Sequence, residues 1–65
     1  MTPAALARTY LELERLWYEA GFRAFGPGAT VAQLLQLATP EQAARVRSDL
    51  ATAGVDPDAS TWPPP

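Results

Sequence analysis

The sequence predicts an all-α fold, in which a compact three-helix domain is followed by an extended, proline-rich C-terminal tail. Two observations predict it: apolar residues recur at helical spacing in three segments, and residues that begin or end helices bound each of them. The helices are expected over about residues 3–20, 31–38 and 40–53. We therefore assign the domain to residues 1–55 and the acidic tail to residues 56–65.

The chain is short enough to permit one domain and no more. Its 65 residues include no cysteine and no histidine, so disulfides and the usual zinc sites are excluded. A domain of this size buries only about 60% of the surface of its unfolded chain, so its stability is marginal without reinforcement. Oligomerisation or a permanent partner is the reinforcement that remains.

Residues at both ends of the first helix indicate its limits. Thr2 is a suitable N-cap and Pro3 a suitable first helical residue. Gly21 is expected to end the helix as a C′ glycine, with Phe22 folding back on Trp17 as in a Schellman motif. The spacing of a buried seam is shared by Leu6, Tyr10, Leu13, Trp17 and Ala20, with Leu16 on its edge.

A loop is expected after the first helix, and two further helices follow it. The segment from Phe22 to Ala29 contains a Gly-Pro-Gly turn at residues 26–28, and Phe22 and Phe25 are expected to hold it on the core. Thr30 with Gln33 has the pattern of a capping box that begins the second helix.

The third helix begins almost at once, because Thr39, Pro40 and Gln42 repeat the same N-terminal pattern. Gly54 is expected to end it as a C′ glycine, with Val55 contacting Leu50. The inward residues are Val31, Leu34, Leu35 and Ala38 in the second helix and Ala43, Val46, Leu50 and Ala53 in the third.

The first helix has a second apolar direction. Leu11 and Tyr18 point roughly 150° and 130° away from the middle of the seam, at about 100° per residue. A lone surface helix needs only one apolar face. We therefore expect this face to meet another chain, which favours a non-catalytic protein–protein interaction or assembly element: an adaptor, an inhibitor or a structural subunit that docks into a larger complex.

Three other residues are candidates for partner binding. Arg47 has no acidic residue three or four positions away. Trp62 could cover the core of its own chain or anchor a partner, and Glu14 could rim an interface or be an ordinary exposed acid. The full set of candidate partner-binding residues is Leu11, Glu14, Tyr18, Arg47 and Trp62.

The remaining charges on the helices are expected to form solvated faces. Charges of alternating sign follow one another at three- and four-residue steps, which gives weak ion pairs along a helix. The two series are Arg8, Glu12, Arg15 and Glu19 in the first helix and Glu41, Arg45 and Asp49 in the third.

Catalysis is not expected from this composition. Without His, Cys or Lys, the common general base, the thiolate nucleophile and the Schiff-base amine are all missing. Asp56 and Asp58 lack the further ligands of a calcium loop, and the Gly-Pro-Gly turn lacks the lysine of a phosphate-binding loop. We therefore expect no cofactor, no metal and no small-molecule substrate.

The charge and hydropathy patterns indicate which kinds of partner the chain has. The formal charge of −2, with five Arg and no Lys, disfavours nucleic acid. No apolar run approaches the roughly 18 residues of a membrane span, and no signal-peptide pattern is present. The default expectation is a cytoplasmic protein, within a larger assembly, whose partner is another protein or a second copy of itself.

The alternative function is DNA binding. The run from Val31 to Gly54, about a third of the chain, resembles a stretch of bacterial winged-helix repressors in which a helix rich in V-x-x-L precedes a V-R-R-D-L segment. Here that segment is Val46-Arg47-Ser48-Asp49-Leu50. The resemblance implies a helix-turn-helix whose second helix, the third of the chain, binds DNA.

The chain departs from that pattern in several places. The corner between the helices is one residue longer, Leu35 stands where a small residue is usual, and Ser48 replaces the second arginine. No strand-forming wing is expected after Gly54. The third helix also carries two acidic and two arginine residues, so its net charge is zero.

Overall fold

Three helices and a two-stranded antiparallel sheet make up residues 2–64, the part of the chain that the computed structural model describes. The fold is therefore mostly helical but not all-α as predicted. The elements in chain order are α1 over residues 3–25 (Pro3–Leu16, a π-helical turn Trp17–Gly21, and Phe22–Phe25), β1 (Ala29–Thr30), α2 (Val31–Leu35), α3 (Pro40–Thr52) and β2 (Thr61–Trp62).

Each helix begins at the threonine that the sequence indicates. A main-chain N–H of the first turn donates to the Oγ1 of Thr2 and of Thr39, over 3.1 Å in both cases. At Thr30 the capping box is complete: its Oγ1 accepts from the N–H of Gln33 over 3.1 Å, and its own N–H donates to Gln33 Oε1 over 2.9 Å. The predicted N-caps are confirmed.

The predicted end of the first helix is wrong, because α1 continues through Gly21 to Phe25. Gly21 has φ −60° and is helical. Gly26, with φ 70°, is the residue that takes the left-handed conformation a C-terminal glycine provides. Between them the helix widens, since the N–H of Phe22 donates to the carbonyl of Trp17, five residues back.

Close packing explains why position 21 is a glycine. A Cβ atom there would collide with Leu34 Cδ2, and it would lie 3.2 Å from the carbonyl oxygen of Leu16. Phe22, expected on the core, instead lies on the outer side of α1, whereas Phe25 packs against the core. The expected contact of Phe22 with Trp17 does form, edge to face with ring centroids 5.5 Å apart, but inside the helix.

The two short helices are predicted with different success. α2 ends at Leu35, three residues before the predicted end, and turn residues 36–38 connect it to α3. α3 ends in a Schellman motif: Gly54, with φ 76°, donates to the carbonyl of Ala51 over 3.1 Å, and Val55 donates to that of Leu50 over 2.9 Å. The predicted Schellman ending at Gly54 is thus confirmed.

The described part of the C-terminal segment is not an extended tail. Thr61–Trp62 pairs antiparallel with Ala29–Thr30, with Ala29 opposite Trp62. The N–H of Val31 donates to the carbonyl of Ser60 over 2.8 Å, so the segment is also tied to the start of α2. The prediction of an extended tail over residues 56–65 is wrong, because Thr61 and Trp62 pair with β1 and the carbonyl of Pro57 accepts from the N–H of Ala32 over 3.1 Å.

The core lies where the three helices meet β2. The predicted α2 residues are buried or packed against it, but in α1 Tyr10 remains 38% exposed and Leu6 only half-buried, and in α3 Ala53 is exposed, contrary to prediction. The buried apolar residues are Leu13, Leu16, Trp17, Ala29, Val31, Leu34, Leu35, Val46, Leu50 and Trp62.

We expect Gly21→Ala to lower stability, although the same change in an ordinary helix raises it by about 0.5–1 kcal/mol. The added Cβ overpacks a site that Leu34 already fills, at a cost of about 1–3 kcal/mol. Urea unfolding followed by circular dichroism measures the change. In a Leu34→Val background, which lacks the Cδ2 atom, the same substitution should cost much less; equal costs in both backgrounds would contradict the packing explanation.

Trp62→Ala is expected to destabilise the domain by about 3–5 kcal/mol. That is a large part of the roughly 3–10 kcal/mol available to a chain of 65 residues. Asp58→Ala is the matched control, because Asp58 is exposed in the same segment and only its backbone N–H is hydrogen-bonded. The measurement is the midpoint of thermal unfolding of the two variants. If residues 56–64 are folded onto the domain, only Trp62→Ala lowers the midpoint; if they were a free tail, neither change would.

Candidate protein-interaction face

Three large apolar side chains lie on the outer side of α1 and are not covered by the rest of residues 2–64. Leu11 is 61% exposed, Tyr18 is 76% exposed and Phe22 is 57% exposed. Leu11 and Tyr18 are seven residues apart, so they point in nearly the same direction on an α-helix. We call these three residues the outer face of α1.

The other side of α1 explains why this face is left outside. Leu13, Leu16 and Trp17 are buried against α2 and α3. Leu11 and Tyr18 lie on the opposite side of the helix, and Phe22 follows the π-helical turn. Turning the outer face inward would therefore expose three core side chains, and the domain is too small to cover both sides of α1.

Two shallow grooves flank Tyr18 on this face. One, of about 630 Å³, lies between Leu11 and Tyr18, with charged side chains along its edges. The other, of about 530 Å³, is lined by Tyr18, Phe22, Arg23 and the buried Trp17. Tyr18 thus protrudes between two grooves, and side chains of another protein surface can fit into those grooves.

The charges around the outer face are not paired as the sequence suggested. Among residues 2–64, the one ion pair joins Arg45 of α3 to Glu12 of α1, Nη2 to Oε1 over 2.6 Å. It bridges two helices, whereas the predicted pairs ran along a single helix. Arg8, Arg15, Glu14 and Glu19, which line the larger groove, make no ion pair within the described residues.

A second polar contact joins the same two helices and was missed by the sequence analysis. Thr9 is only 1% exposed. Its hydroxyl lies 3.1 Å from the carbonyl oxygen of Ala5 and 3.0 Å from Asp49 Oδ2, and it donates toward both. A threonine among charged residues of α1 gives no sequence signal for such a bridge, because the contact depends on where α3 crosses.

The structure brings together three of the five predicted partner-binding residues. Leu11, Glu14 and Tyr18 line the same groove on α1. Arg47 is exposed on α3, away from that groove. Phe22, which belongs to the outer face, was missed, because Gly21 was interpreted as the end of the helix.

Trp62 lies in the core of its own chain, 7% exposed, so of the two positions considered for it the structure shows the internal one. Its ring contacts Tyr10, with centroids 6.0 Å apart. A cleft of about 230 Å³ remains beside it, lined by Leu13, Leu50 and Val55 among others. No buried side-chain polar atom among the described residues lacks a partner, so this cleft contains no group that requires a polar ligand.

Neither a metal-binding cluster nor a membrane-spanning helix is found in residues 2–64. No three Asp or Glu side chains there are grouped so as to hold a metal ion. Asp56 Oδ1 accepts from the N–H of Asp58 over 3.0 Å, which forms a local turn. None of the helices in this range is long and apolar enough to cross a membrane.

Comparison with known proteins adds no relative to this description. No family model matches the chain, and neither a curated protein nor a solved structure is significantly similar to it.

Replacing both Leu11 and Tyr18 by serine is expected to leave the fold intact, because neither side chain belongs to the core. The helical circular dichroism signal and the unfolding midpoint should stay close to the original values. Leu13→Ala, two residues from Leu11 and on the buried side of the helix, should instead cost about 2–5 kcal/mol. If the double variant unfolds as readily as Leu13→Ala, the assignment of the outer face is wrong.

Proposed function

We propose that this protein is a non-catalytic protein–protein interaction or assembly element that docks through the outer face of α1. One observation carries the proposal: Leu11, Tyr18 and Phe22 are more than half exposed on one helix of a domain that buries both of its tryptophans and five of its seven other leucines. Such side chains lose contact with water when another protein covers them, and the domain itself does not cover them.

The size of the patch supports this proposal. Aromatic side chains bury roughly 150–250 Å² each when covered, so Tyr18 and Phe22 together expose on the order of 250 Å². Leu11 extends the patch to a few hundred Å², about the size of the largest apolar patch on a typical monomer, and such patches are often functional. Charged residues surround it, as polar rims surround the centres of protein interfaces.

The proposal covers several roles that share this mode of action. An adaptor, an inhibitor and a structural subunit of a larger complex all need a small folded domain with one binding surface. None of them needs catalytic groups. The chain has such a domain, which is built on a single core, and the outer face of α1 is such a surface.

DNA binding is the second candidate, and one observation favours it. A two-residue strand does follow α3 and pairs with the strand that precedes α2, although no strand was expected after Gly54. Other observations oppose it: α2 has only five residues, and Arg45, one of two arginines on α3, is paired with Glu12 of α1. Little free positive charge remains on α3 to meet phosphates.

Affinity capture tests the proposed function. The chain, immobilised through its C-terminus, is exposed to an extract of the cells that express it, in parallel with the double variant Leu11→Ser, Tyr18→Ser. We expect bound proteins that the double variant loses and that an Arg47→Ala variant retains, because Arg47 lies away from the outer face. Proteins bound equally by all three chains would contradict docking through this face.

A titration with mixed-sequence duplex DNA distinguishes the two candidates. Near physiological ionic strength we expect no measurable binding, because the chain has a formal charge of −2 and no lysine. Fluorescence polarisation at low and moderate salt measures it. Tight binding that weakens steeply with salt, and that Arg45→Ala and Arg47→Ala both reduce, would favour DNA binding instead.

A further inference from the structure

We propose that the outer face of α1 binds the same face of a second copy of this chain, with the two α1 helices antiparallel. This inference rests on the proposed function and names its partner. Three properties of the face support it: its net charge, the order of its charges and the distribution of large and small side chains along it.

The rim of the larger groove is electrically neutral although the chain is not, and Arg23 beside the smaller groove adds one positive charge to the outer face. Around the larger groove, Arg8 and Arg15 balance Glu14 and Glu19, while Glu12 is already paired with Arg45. A strongly acidic or basic partner would gain nothing from such a surface. A partner surface that carries both positive and negative charges can pair with these side chains, and the same face of a second copy is such a surface.

The order of the charges on one flank is complementary to its own reverse. Four residues on this flank alternate as positive, negative, positive and negative: Arg8, Glu12, Arg15 and Glu19. A two-fold axis perpendicular to two antiparallel helices brings the same flank of both copies together.

Reversal therefore places Arg8 opposite Glu19 of the second copy, and Arg15 opposite its Glu12. Glu12 can accept both arginines, because only its Oε1 is used by Arg45. Each of these pairings occurs twice in the dimer.

The same axis suits the apolar residues. The charge series is centred between residues 13 and 14, and the pair Leu11 and Tyr18 is centred between residues 14 and 15. The two centres differ by one residue, or about 1.5 Å along a helix. Charge pairing and contact of Leu11 with Tyr18 of the second copy are therefore compatible in one arrangement.

Side-chain size favours the antiparallel over the parallel arrangement. The N-terminal half of this side of α1 carries the exposed small residues Ala4 and Ala7, whereas the C-terminal half carries Tyr18 and Phe22. Antiparallel packing lays the large half of each helix on the small half of the other. Parallel packing would set the aromatic side chains against each other and leave a gap between the alanines.

The expected dimer is weak. Two copies would bury on the order of 700 Å² of apolar area from Leu11, Tyr18 and Phe22. Since a little over half of a typical interface is apolar, the whole would be about 1,200 Å², the lower end of specific interfaces. We expect dissociation in the micromolar range, within reach of sedimentation equilibrium on the full chain.

A charge exchange between Arg8 and Glu19 tests the antiparallel arrangement. In an Arg8→Glu dimer, the new glutamate faces Glu19 of the other copy, so two acidic residues oppose each other twice. In a Glu19→Arg dimer, the new arginine faces Arg8 of the other copy, so two arginines oppose each other twice. Each variant should dimerise about tenfold more weakly than the original chain at low salt. Mixed in equal amounts, the two variants should form a heterodimer with the affinity restored, because every opposing pair is again of unlike sign.

The control for net charge is Arg47→Glu, which changes the charge of the chain as Arg8→Glu does but lies on α3. It should leave dimerisation unchanged. A further variant, Glu14→Gln, should strengthen the dimer, since Glu14 lies on the other flank within one residue of the axis and faces its own copy. A dimer whose charge variants are not rescued by mixing would overturn the antiparallel arrangement.

Failure of this inference can be told apart from failure of the proposed function. A chain that stays monomeric at millimolar concentration overturns self-association. If such a chain still retains a protein that the Leu11→Ser, Tyr18→Ser variant loses, the outer face serves a different partner and the proposed function stands. If it is monomeric and retains nothing through this face, both are wrong.

Discussion

The side chain of Leu34 occupies the space that a Cβ atom at position 21 would need, and most of the architecture depends on this contact. It brings the C-terminal end of α2 directly against the backbone of α1. Because Gly21 is used for close approach, it remains helical, and α1 continues to Phe25 before Gly26 ends it. The connection to β1 and α2 therefore begins one turn later than a glycine stop at position 21 would allow.

The same contact determines what the outside of α1 looks like. Within the π-helical turn, Phe22 donates its N–H five residues back and its ring meets the edge of Trp17. Two residues five apart on an ordinary α-helix point about 140° from each other, so the wider turn is what lets a surface aromatic side chain contact a core one. The outer face is thereby continuous with the core at Trp17, although Phe22 itself is exposed.

Sequence reasoning succeeded where the determinants are local. The threonine caps and the Schellman ending at Gly54 involve residues within a few positions of one another, and their side-chain chemistry specifies the geometry. It failed where the determinant is a distant contact. Nothing near Gly21 shows that Leu34 will pack there, and nothing in Asp49 shows that it will meet Thr9. Leu11 and Tyr18 were found because helical periodicity alone separates them from the seam, whereas Phe22 lies beyond the misplaced end.

The position of Trp62 changes the reason for expecting a partner. A 65-residue chain with few large side chains needs something to complete its core, and the sequence left open whether that comes from within or from another molecule. Trp62 supplies it from within, held beside β1 by strand pairing and buried among the helices. The core of the described residues is thus formed without any side chain of the outer face of α1. A face that is apolar, nearly neutral and outside the core can associate and dissociate while the core stays packed, which suits reversible assembly better than obligate oligomerisation.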